Sequence, residues 1–134
     1  MIDISKMMMP ALVGGLVAGV ATSIPVINWL NVFCCLWFII GGAIAAWMLI
    51  GAIGKIELTD GAIVGALSGV VAGVIAAVLG MIFGLAAGSM FGNVPGAGDV
   101  GVAVLGGIIG IIIYPILGAV FGAAGGVIVA KLKQ

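Results

Sequence analysis

The sequence predicts an all-α fold, an integral membrane four-helix bundle packed through glycine in the GxxxG or glycine-zipper manner. Three observations carry that reading. Of 134 residues, 65% are hydrophobic and 6% are charged, where a soluble domain has about 25% charged residues. Apolar runs long enough to cross a hydrocarbon core of about 30 Å recur along the chain. The 25 glycines fall repeatedly at four-residue spacing within those runs. The chain reads as a single transmembrane domain, residues 1–134, with spans at about 7–24, 30–53, 61–92 and 100–130.

The first span opens at Met7, with Pro10 in its first turn, where proline is tolerated, and stops at Pro25. A secretory signal is the rival reading, because Lys6 precedes an apolar run, but the leading segment is barely basic. Asn28 or Asn31 suits the cap of the second span. Trp29 and Trp47 are 18 residues apart, about 27 Å along a helix, which fits two interfacial anchors on one span. Cys34 and Cys35 are adjacent. On a helix they point about 100° apart and close no unstrained bridge. Two thiols without histidine are also too few for a zinc site.

Between the second and third spans, Gly54–Asp60 is strongly polar, and Thr59 or Asp60 is the expected N-cap. The third and fourth runs are each longer than a bilayer needs, about 48 Å for the third, so they tilt, kink or protrude. Asn-Val-Pro-Gly-Ala-Gly-Asp, from Asn93 to Asp99, is a turn between them. Pro115 lies inside the fourth run, which is read as one kinked helix. A re-entrant pair broken at Tyr114–Pro115 is the alternative.

In lipid, apolar side chains alone do not drive helices together. Small residues do, because they let backbones approach. The candidate helix-packing residues are Gly61, Gly65, Gly69 and Gly73, then Gly80, Gly84, Gly88 and Gly92 on the third helix. On the fourth they are Gly106, Gly110, Gly118, Gly122 and Gly126, with Tyr114 in the missing place. A four-residue step drifts about 40° around a helix. The seven-residue step from Gly73 to Gly80 is expected to reset the third helix onto one long face. The fourth has no such reset, so either Pro115 compensates or its halves meet different neighbours.

All four basic residues, Lys6, Lys55, Lys131 and Lys133, fall on one side of a four-span topology. The positive-inside rule then places both termini in the cytoplasm of a multi-pass cell-membrane protein. No Asp, Glu, Lys or Arg falls inside a span, and histidine is absent. That argues against a proton relay, a rotor-ring subunit or an intramembrane hydrolase, since Ser68 and Ser89 have no base to activate them. The expectation is therefore a non-enzyme with no cofactor, no metal, no identifiable small-molecule substrate and no nucleic-acid partner. The expected partners are the lipid bilayer and either further copies of the chain or other membrane subunits. The alternative is a passive pore lined by small residues, for which Thr22, Ser23, Ser68 and Ser89 are the only polar lining.

The segment Cys34-Cys-Leu-Trp-Phe-Ile-Ile-Gly-Gly42, followed by the polar loop and Asp60-Gly-Ala-Ile-Val-Gly65, resembles small prokaryotic, often archaeal, four-span glycine-rich membrane proteins of unknown function. The resemblance implies four spans, and it carries no functional residue across.

Overall fold

The structure is a computed structural model and describes residues 3–23, 36–90 and 100–133. These form four helices: α1 (Ile4–Ser23), α2 (Leu36–Ile53), α3 (Leu58–Met90) and α4 (Val100–Leu132). There is no strand among the described residues. Each helix contains a stretch long and apolar enough to cross a membrane, namely Ile4–Thr22, Leu36–Ile53, Leu58–Phe83 and Val104–Leu132. The chain is a multi-helix membrane protein.

The helix ends follow local chemistry. α1 starts one turn before the expected Met7. The amide of Lys6 donates to the carbonyl of Asp3 at 2.9 Å, so the polar residue before Ile4 opens the helix, and polarity in the first turn does not exclude it. Pro10 consequently lies inside α1 rather than in its first turn. α2 ends where Gly54 adopts φ 94°, its amide donating to Ile50 at 2.7 Å. This is the left-handed stop that glycine supplies without Cβ strain. At the start of α3 the cap is Glu57, not Thr59 or Asp60. The amide of Gly61 donates to the Glu57 carbonyl at 3.0 Å, and the amide of Glu57 donates to an Asp60 carboxylate oxygen at 3.4 Å. Asp60 thus reaches back to the cap amide from three residues in, the carboxylate half of a capping box. α4 passes through Tyr114–Pro115 as one helix rather than a re-entrant pair. Asn28, Asn31, Trp29, Cys34, Cys35 and Gly92 lie outside the described residues, as do the start of the second span at residue 30 and the turn 93–99.

The helices form a ring in the order α1–α2–α4–α3. The α3–α4 contact is the most extensive, α2 and α3 touch across the short diagonal, and α1 and α4 scarcely meet. Two buried layers fill the interior. One joins Met7, Ala11, Ala45, Ala46, Leu49, Ile56, Val64 and Ala130. The other joins Ala18, Phe38 and Ala72, with Phe121 packed against them. Among the described residues the largest fully buried side chains are Met7, Leu49, Val64 and Ser68. A core filled mainly by alanine and glycine requires helix backbones to run close together, which is how membrane helices gain contact without a hydrophobic driving force.

Over the described residues α1 has 20 residues and α2 has 18, about 30 and 27 Å of helix. α3 and α4 have 33 each, about 50 Å. On α4 the side chains of Ile112, Ile116 and Val120 are about 60% exposed, ordinary for a lipid-facing surface.

Candidate functional site

The most regular feature of the described residues is the set of backbone approaches at glycine. Along α3 and α4 they keep one antiparallel register. A Cβ built at Gly61 would meet the Ala130 methyl at 2.7 Å and the Gly126 carbonyl oxygen at 2.8 Å. One at Gly65 would run into the Gly122 carbonyl, and one at Gly69 into the Gly118 carbonyl. One at Gly73 would lie 2.5 Å from the Tyr114 carbonyl oxygen and 2.6 Å from the Pro115 nitrogen. The clashes are reciprocal: Gly118 would strike the carbonyl of Gly69, Gly122 that of Gly65, and Gly126 that of Gly61. Each glycine therefore aims a Cα–H at a facing carbonyl, the recurring weak hydrogen bond of close helix pairs.

Beyond Gly73 the register continues at the same spacing but changes residue type. A Cβ at Gly110 would touch the Tyr114 ring at 3.0 Å and the Ala77 methyl at 4.0 Å. One at Gly107 would meet the Met81 sulfur at 2.9 Å. Gly80 and Gly106 have nothing within 4 Å. The contact face of α3 thus runs Gly61, Gly65, Gly69, Gly73, Ala77, Met81, with no reset at Gly80. A four-residue repeat held this long requires the two helices to wind around each other, so that the drifting stripe stays at the contact. Gly118, Gly122 and Gly126 all stay on α3. Gly84 and Gly88 lie in the α3 helix, and their side-chain environment is outside the described residues.

Glycine doublets mark the remaining contacts. Gly14 faces α2, where a Cβ would sit 2.5 Å from the Gly41 carbonyl oxygen, while Gly15 faces α3, 2.7 Å from Val71. Gly41 faces Ala18 of α1 at 2.6 Å, while Gly42 abuts the Gly122 carbonyl of α4. Gly125 abuts the Ile39 carbonyl of α2, while Gly126 abuts Gly61 of α3. Adjacent residues point about 100° apart, so a doublet serves a helix that has two close neighbours. Gly19 adds a second α1–α3 approach, 2.8 Å from Ile75.

Few polar groups enter this interior. Ser68 is fully buried, 2.8 Å from where a Gly14 Cβ would lie, and its hydroxyl has no hydrogen-bond partner among the described residues. The Thr22 hydroxyl donates to the Gly19 carbonyl at 2.8 Å. The Trp37 indole nitrogen is buried and has no hydrogen-bond partner among the described residues. Asp60 is buried at the start of α3. Trp47 is 62% exposed and Tyr114 45%. Among the described residues no three metal-ligating side chains come together.

Four long apolar helices joined by backbone-close contacts define a small polytopic membrane protein of the glycine-rich bundle class. The chain belongs to the family described as MJ1491 transmembrane domain, which it matches over residues 8–134. That family is an archaeal one of uncharacterised membrane proteins, in keeping with the resemblance seen around Cys34–Gly65. No curated protein and no solved structure matches the chain.

Proposed function

We propose that the protein is a non-catalytic membrane scaffold, acting as a homo-oligomeric component or as an accessory subunit of a membrane complex. The observation that carries this reading is the α3–α4 hairpin. Its helices are held backbone to backbone from Gly61/Gly126 to Gly73/Tyr114, and each is described over 33 residues, longer than a bilayer core needs. In this reading the stripe is a glycine zipper that stiffens a long strut, and the strut offers its outer surface to a neighbour. The scarcity of polar groups in the bundle supports a role without bond-making chemistry, because catalysis and ion coupling need ionisable groups within the spans.

The pore reading is weaker. Ser68 is buried without a partner, Thr22 bonds its own helix, and the layer of Ala18, Phe38, Ala72 and Phe121 fills the bundle interior. Orientation belongs to the same proposal. Lys6, Lys55, Lys131 and Lys133 are all exposed at one end of the bundle, and the positive-inside rule supports the reading that both termini are on the cytoplasmic side of the cell membrane.

Co-purification of two differently tagged copies, run beside an ion-flux assay in liposomes, tests the functional claim. The proposal expects one tagged copy to retrieve the other, or a second membrane protein, with no flux above empty vesicles. Flux from a chain that retrieves neither would replace the scaffold with the pore.

A further inference from the structure

We draw no further inference here: the strongest candidate, the exposed apolar face of the outer α3–α4 hairpin around Gly80, Ile82, Leu105 and Gly106, carries none because nothing in the structure shows what covers it.

Discussion

At Gly65, Gly69, Gly118 and Gly122 the atom that a Cβ would strike is a backbone carbonyl of the facing helix. A carbonyl cannot rotate aside as a side chain can, so the helices themselves must separate. We predict that Gly65→Ala and Gly122→Ala each destabilise the bundle by about 1–3 kcal/mol, the usual cost of overpacking. Gly80→Ala, with open space around it, is expected to stay within about 1 kcal/mol of the parent. Reversible unfolding in mild detergent measures both, and equal losses at Gly65 and Gly80 would remove the distinction. Gly107 is an intermediate case, since the obstacle there is the flexible Met81 side chain. The Ser68 hydroxyl gives the opposite expectation. It is buried and unpaired, so Ser68→Ala should leave stability unchanged or raise it by up to about 1 kcal/mol. A clear loss of stability would mean that the hydroxyl holds a partner in the membrane.

Helix pairing supplies the next test. The positions of Ala77 and Gly110 bring Cβ atoms to 4.0 Å, within the range a disulfide spans. In a background lacking Cys34 and Cys35, Ala77→Cys with Gly110→Cys should cross-link readily on mild oxidation, and Ala77→Cys with Gly106→Cys should not. Efficient bridging in the second pair alone would shift the α3–α4 register. How much of this was legible beforehand differs from element to element. The four helices could be read from apolar length alone, because a bilayer imposes that length on any spanning segment. The continuity of α4 through Pro115 agreed with the apolar run. The early start of α1 was hidden because Lys6 looked like a boundary, whereas a first turn at the membrane edge tolerates polar residues. The Glu57 cap was obscured because Asp60, the better N-cap by residue type, works equally well three places in. The glycine spacing marked candidate packing positions on α3 and α4 but neither their partners nor the ring order. That order was encoded in the doublets at Gly14–Gly15, Gly41–Gly42 and Gly125–Gly126, which spacing counts treat as single positions. The behaviour of Gly80 was not legible, since a reset in one straight helix and a continued stripe in a wound pair look alike until both helices are placed.

For the molecule as a whole, the length of α3 and α4 organises the proposal. Each is described over 33 residues, about 50 Å, more than a bilayer core requires. With the four lysines cytoplasmic, as proposed, Met90 and Val100 lie at the opposite side. A cysteine introduced by Lys133→Cys, in the same thiol-free background, should therefore react with an impermeant reagent only after the cytoplasmic face is opened. Labelling from outside intact cells would invert the topology. In the scaffold proposal, a strut longer than the bilayer core offers its surface to a partner. The most direct test is a native mass spectrum of the wild-type chain after gentle extraction. A single copy is 13.2 kDa. The account predicts discrete assemblies, either integer multiples of that mass or the chain bound to a second membrane subunit, and a spectrum containing only the bare monomer under conditions that preserve the folded helices would contradict it.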